Sequence, residues 1–235
     1  MLKEKTMKTK LFIFSILFLS LGWTKELPNK IHLQYQLKYQ EQNLGLISAN
    51  YQATNKTYEL NAVSDFEGAM KLLGNYEIKS YGHLNGEHLQ PKKIERINLK
   101  KNKQVITEID YLNKKIVIDK RNKKKIYELQ ENTQDIMTYF FEINAYKKMP
   151  EKFIFNILDS DSYNQYEYQF LKNEKVKIQD EVINTKVYVG RINQAEEKHY
   201  LWISDSNYRV PVKITTQTPI GILVDQVLIK TSLQL

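Results

Sequence analysis

The chain alternates apolar and polar side chains with a period of two, and renews that alternation after each short turn along most of its length. Ile31, Leu33, Tyr35, Leu37 and Tyr39 fall on one face of such a stretch, with His32, Gln34, Gln36 and Lys38 on the other. A period of two belongs to a strand, and one apolar face per strand implies an antiparallel sheet with one wet side. Residues 46–53 and 57–63 read as a hairpin about Asn55-Lys56. The stretches 76–81, 92–99, 104–111, 115–119 and 125–129 continue the series. Turn residues such as Asn85-Gly86, Lys101-Asn102 and Arg121-Asn122 separate them. Strands are expected again at 152–158, 165–171, 185–192, 199–204, 209–216 and 222–229. The 16 Tyr and 9 Phe suit this reading, because flat rings pack well on a pleated surface.

One stretch changes period. Ile136, Met137, Phe140, Phe141 and Ala145 recur at helical spacing, with Thr133 placed to cap the segment, Asp135 in its first turn and Met149-Pro150 closing it. The spacing predicts a helix of about three turns whose aromatic rings plug a concave sheet. Residues 65–73 predict a shorter second helix, weakened by Gly68. No period of 20–50 residues repeats, so a solenoid or propeller is not indicated. The expected fold is mainly β (α+β): a large curved antiparallel sheet, half-barrel or barrel, with about a dozen strands around one central helix. It forms a single domain over residues 25–235.

The first 24 residues have a different logic. Lys3, Lys5, Lys8 and Lys10 precede an apolar run over 11–23, and Ser20, Gly22 and Thr24 provide small residues before Lys25-Glu26. That order is the one a secretory signal has, and the run is shorter than the roughly 20 residues of a membrane span. Met7 is a second candidate start. The chain is therefore expected to be exported to the periplasm by a cleaved signal, with no lipid anchor because it has no Cys. The absence of Cys also excludes disulfides, thiolate metal sites and a Cys nucleophile.

Several stretches in order resemble one family. They are Gly68-Ala69-Met70-Lys71-Leu72-Leu73, Ser80-Tyr81-Gly82, Gly86-Glu87-His88-Leu89-Gln90-Pro91, then Gln134-Asp135-Ile136-Met137-Thr138-Tyr139-Phe140-Phe141. Last come Trp202-Ile203-Ser204-Asp205, Pro211-Val212-Lys213-Ile214 and Gly221. Together they resemble the bacterial exported family catalogued as domain of unknown function 3108. At the level of fold they also resemble the half-barrels that carry lipoproteins across the periplasm. The resemblance implies no catalytic residues. Its signature positions read structurally: Gly82, Gly86 and Gly221 as turn residues, Pro91 and Pro211 as strand starts, and Asp205 with Asn207 as a turn. Trp202 carries two readings, a core residue or a ligand platform.

Candidate chemistry is sparse. His83-x-x-x-Glu87-His88 misses a zinc spacing by one residue, and Asp159-Ser160-Asp161 lacks the remainder of a calcium loop. Asp65 with Glu67 offers a carboxylate pair without a cleft. No phosphate-binding glycine loop or nucleophile elbow is present. No metal or cofactor is expected, and the chain is expected not to be an enzyme. The net charge is +8, about +5 without the leader, and follows abundant lysine rather than a nucleic-acid motif. Lys120, Arg121, Lys123, Lys124 and Lys125 crowd one hairpin, whose readings are a solvated tip or peripheral contact with anionic membrane. Three functions stay open, the first two being a binding protein holding a lipid or other hydrophobic ligand against Phe140, Phe141 and Trp202, and an envelope-assembly factor with a packed core. An unrecognised enzyme is the third.

Overall fold

The alternating stretches become one antiparallel meander that rolls on itself. The computed structural model describes residues 27–235, except 160–161, 194–198, 207, 218–222 and 234. The expected leader and Gly221 lie outside the described residues. The first eight strands are β1 (Lys30–Tyr39), β2 (Gln42–Ala53), β3 (Thr57–Phe66), β4 (Tyr76–Asn85), β5 (His88–Asn98), β6 (Lys103–Asp110), β7 (Lys115–Lys120) and β8 (Lys123–Glu128). Then come β9 (Thr133–Asp135), the helix α1 (Thr138–Glu142), and β10 (Lys152–Asp159), β11 (Ser162–Ile178), β12 (Glu181–Ile192), β13 (His199–Ser204), β14 (Pro211–Gln217) and β15 (Leu223–Thr231). All fifteen lie in one sheet, ordered β8 to β1, then β15 down to β9. Strands consecutive in sequence pair side by side, except β8 and β9 at its two ends, and the first and last strands pair at the middle of the sheet.

Alternation sets which face is buried. In β1, Ile31, Leu33, Tyr35 and Leu37 are buried while the residues between them are partly exposed. A one-residue slip would turn all four to solvent, so the hydrophobic pattern fixes the register against β2 and β15. The buried rows of β1–β5 and β10–β15 meet in one apolar core dense in aromatic rings. Phe153 packs within 5.0 Å of both Tyr168 and Tyr188, centroid to centroid. The sheet does not close by hydrogen bonds. Its two ends overlap instead: Leu158, on the face of β10 opposite Ile157, enters a second cluster with Ile94, Ile109, Ile116 and Ile118 of β5–β7. Tyr127 of β8 packs edge-on against Tyr163 of β11 across the same overlap.

The expected three-turn helix is shorter and starts later. Thr133 is not its cap. Residues Thr133–Asp135 pair in parallel with Asn156, Ile157 and Leu158 as β9. Only Thr138–Glu142 is α-helical, followed by a 3-10 turn at Ile143–Ala145. Strand formation wins at 133–135 because the exposed edge of β10 offers backbone partners that an isolated helical turn does not. Asp135 is the residue that starts the helix. Its Oδ1 accepts from the amides of Met137 (2.8 Å) and Thr138 (3.0 Å), while Thr138 Oγ1 accepts from the Asp135 amide. This reciprocal arrangement satisfies donors that a helix N-terminus leaves free. The second expected helix is also corrected: Asp65 and Phe66 end β3, and Gly68–Leu73 is a 3-10 turn. Gly68 opens that turn at φ +53°, a conformation poorly suited to an α-helical interior.

The segment 133–145 clasps the rolled sheet. Asp135 is fully buried, and its Oδ2 accepts from Ser80 Oγ of β4 at 2.6 Å. β5 extends past the end of its pairing with β6, which begins at Lys93 and Glu108. The backbone groups of Leu89 in that overhang are taken by clasp side chains: Gln134 Nε2 donates to its carbonyl (2.9 Å), and Glu142 Oε2 accepts from its amide (2.8 Å). Asn144 makes the far attachment, bonding both the carbonyl and the amide of Arg209 at 2.8 Å. Burial pushes the Asp135 carboxyl above its ordinary range, against the opposing pull of these donors.

Removing the Asp135 carboxylate strands two helix amides and a serine hydroxyl in a dry site. Asp135→Ala is expected to cost about 3 kcal/mol or more in urea unfolding, and Asp135→Asn, which keeps an acceptor, clearly less. Equal, small losses in both would show that the clasp does not rest on this residue.

Candidate ligand cavity

Beneath the clasp the concave face of the sheet does not fill. A cavity of about 290 Å³ lies between β1–β4, the far strands β11–β15 and the segment 136–141. Its sheet wall is built by register. Leu33 faces Ala49, Ala49 faces Ala62, and Ala62 faces Ile78, so one cross-strand row supplies four lining residues. The two alanines leave room that larger side chains would occupy. The opposite wall is Met137, Tyr139, Phe140 and Phe141. Phe141 stacks on Tyr51 at 5.0 Å.

A polar corner interrupts this lining. His199 is buried, and its Nδ1 lies 2.8 Å from the Tyr168 hydroxyl, which is also bonded to Tyr139. Burial pushes the His199 pKa down to about 4, so the ring is neutral at neutral pH. Tyr168 also explains Gly190: a Cβ there would come within 2.6 Å of the Tyr168 ring. Position 190 must therefore stay small for the corner to assemble.

Of the three residues expected to meet a ligand, Phe140 and Phe141 line the cavity and Trp202 does not. Leu201 and Ile203 of β13 are buried inward, and alternation turns Trp202 to the other face. There it is half-buried opposite Val187, with the Lys213 ammonium 4.9 Å from its ring centre. The sequence could not tell these faces apart, because β13 is apolar on both sides. Tyr139, His199 and the two alanines were not singled out. A small residue in a strand has no chemical signal of its own.

Three of the candidate metal and acid residues have structural partners. His88 Nδ1 lies 2.5 Å from Glu142 Oε1, so this histidine serves the clasp. Asp65 accepts from Asn75, and Asp159 pairs with Arg96. Ser160 and Asp161 lie outside the described residues. Lys120, Arg121, Lys123, Lys124 and Lys125 are exposed around the β7–β8 turn.

Between residues 34 and 227, from β1 to β15, the sequence matches the family model described as a protein of unknown function (DUF3108). The chain belongs to this family. Among solved structures it is similar to a beta-barrel-like protein of domain of unknown function DUF1849 from Brucella abortus. The two share 10% identity at a TM-score of 0.61, over 87% of this chain and 98% of that one. Such a likeness is one of fold. No curated protein matches.

The residues that carried the DUF3108 resemblance have mostly structural roles, though not always the expected ones. Gly86 sits at φ +63° in the β4–β5 turn, as its turn reading requires. Gly82 is not a turn residue. It lies inside β4 at a register shift, where a Cβ would meet the Gln90 carbonyl at 2.1 Å and the Tyr58 ring at 2.7 Å. Pro91 lies three residues into β5, in the overhang where β6 asks for no amide, and its carbonyl accepts from the Tyr111 hydroxyl. Pro211 does start its strand. Ser204 and Ser206 hold the β13–β14 turn by donating to the Tyr208 carbonyl, whereas Asp205 faces Lys186. Asn207 lies outside the described residues.

The buried histidine has a pH consequence. The folded protein keeps His199 neutral down to about pH 4, and the unfolded chain protonates it near 6.5. Its contribution is complete above pH 6.5 and is lost as pH falls towards 4, by about 2 kcal/mol at pH 5. Asp135 and Glu142, whose carboxyls are raised by burial, act in the opposite sense. The difference between wild type and His199→Gln therefore isolates the histidine. Wild type should lose more stability than the variant between pH 7 and pH 5, and parallel losses would contradict the buried neutral ring.

Proposed function

We propose that this protein is an exported, non-enzymatic carrier that holds a lipid or other hydrophobic ligand in the cavity beneath the clasp. One observation carries the reading: a mainly apolar lining from both halves of the sheet and from the segment 136–141 surrounds a space of about 290 Å³. Ligand pockets occupy roughly 300–1,000 Å³, so the space suits a slender occupant such as one acyl chain. The rolled sheet supports the reading physically. Its ends meet through side chains, those of the clasp and of the Leu158 cluster, and such a closure can open without breaking a continuous strand ladder.

The basic, apolar and small-residue order of the first 24 residues supports periplasmic export. A soluble protein outside the cytosol that shelters acyl chains would bridge an aqueous compartment lipids do not cross unaided. Of the acids and histidines raised as candidate chemistry, Asp65, His88 and Asp159 are held by Asn75, Glu142 and Arg96, which favours binding over catalysis.

Native mass spectrometry and lipid extraction of protein taken from its own host should find an apolar ligand at near-stoichiometric yield. Ala49→Leu combined with Ala62→Leu fills the cavity from its sheet wall. This double variant should fold and lose about tenfold or more in affinity for a fluorescent fatty acid. A folded, filled variant that binds as well as wild type would sink the reading and favour the assembly factor with a packed core.

A further inference from the structure

The row that lines the cavity continues beyond it and changes character. Ile78 faces Arg96 of β5, Arg96 faces Val105 of β6, and Val105 faces Lys120 of β7. Leu33, Ala49, Ala62 and Ile78 thus hand over to Arg96 and Lys120 on one concave face. The next row does the same, from Tyr76 to Asn98 and Lys103. These residues, with Lys101 and Arg121 from the adjoining turns, line a second pocket of about 300 Å³. Five of the residues lining it are cationic and none is acidic. They come from three separate stretches of sequence, so the rolled sheet, and not a basic run, assembles them.

The two pockets adjoin. Tyr76 lines both, and the Arg96 guanidinium carbon lies 4.4 Å from the centre of its ring. Asp159 lines the apolar cavity, and its carboxylate is 3.9 Å from Arg96 Nη1, a loose pairing. Arg96 Nε is buried and finds no hydrogen-bond acceptor among the described residues. A buried guanidinium donor without an acceptor is costly, and an anionic oxygen is its natural complement.

We infer that the ligand is an anionic amphiphile whose phosphate or carboxylate head sits in the Arg96–Lys101–Lys103–Arg121 pocket while its chain passes Tyr76 into the apolar cavity. The inference rests on the carrier reading for the chain and adds the head. Arg96 would take the head in charge-assisted hydrogen bonds, and the lysines of the rim would neutralise it. A neutral lipid would occupy the same cavity but bring no anion to this cationic rim.

Calorimetry of the purified protein tests this with three probes, each below any micelle concentration: oleoyl lysophosphatidic acid, the neutral mono-oleoyl glycerol, and inorganic phosphate. The lysophosphatidic acid should bind about tenfold or more tighter than the glycerol ester at low salt. That margin should vanish in Lys101→Gln/Lys103→Gln and, separately, in Arg96→Gln. The rim variant removes only exposed charge, so its unfolding should match wild type. Ala49→Leu/Ala62→Leu should weaken both amphiphiles and leave any phosphate binding unchanged. Equal binding of both amphiphiles, unaffected by the charge variants, would overturn the head assignment and leave the carrier reading standing. Phosphate binding with neither amphiphile bound would overturn both and make the basic pocket a free-phosphate site. No binding by any probe would overturn both as well.

Discussion

The structure depends on how one unpaired stretch of backbone is satisfied. β5 extends beyond β6, and the amide and carbonyl of Leu89 in that overhang would be buried without partners. Glu142 and Gln134 supply them. Because both residues belong to a segment that is also strand-paired to β10, this local accounting joins the two ends of a sheet that backbone ladders never close. Asp135 stands at the centre of the arrangement. It starts the helix, receives the Ser80 hydroxyl and takes the desolvation that burial imposes on it.

A side-chain closure has consequences that a closed barrel would not have. In a barrel every strand edge is paired, and opening it breaks a ladder. Here the ends overlap through the Leu158 cluster and the clasp, so the space beneath need not fill completely for the fold to hold. The aromatic core on the β10–β12 side carries the packing. The alanine row on the β2–β3 side leaves the void. His199 and Tyr168 put a polar corner into that void at the expense of acid stability.

Membership in a family of unknown function and a barrel-like neighbour at 10% identity place the fold without naming a reaction. The concave face itself is what bears on function. Its cross-strand rows run from leucine, alanine and isoleucine to arginine and lysine within a few strands. A gradient of that kind describes an amphiphile better than it describes a metal, a nucleotide or a reacting bond.

The sequence by itself determined the class of fold, nearly every strand and the place of the turns at Gly86 and at Asn55-Lys56, because period-two alternation and turn chemistry are local. It also marked Phe140 and Phe141 as interior. It missed what depends on the partners that a segment meets. Thr133–Asp135 is a strand only because β10 presents an edge, and Gly82 is needed only because Gln90 and Tyr58 press against it. The face of Trp202 was undecided by alternation alone, since both sides of β13 are apolar. Only the tertiary structure could assemble the two pockets. Ala49, Ala62, Arg96 and Lys103 are unremarkable in sequence, and they become a cavity and a cationic seat when cross-strand register sets them side by side on a curved surface.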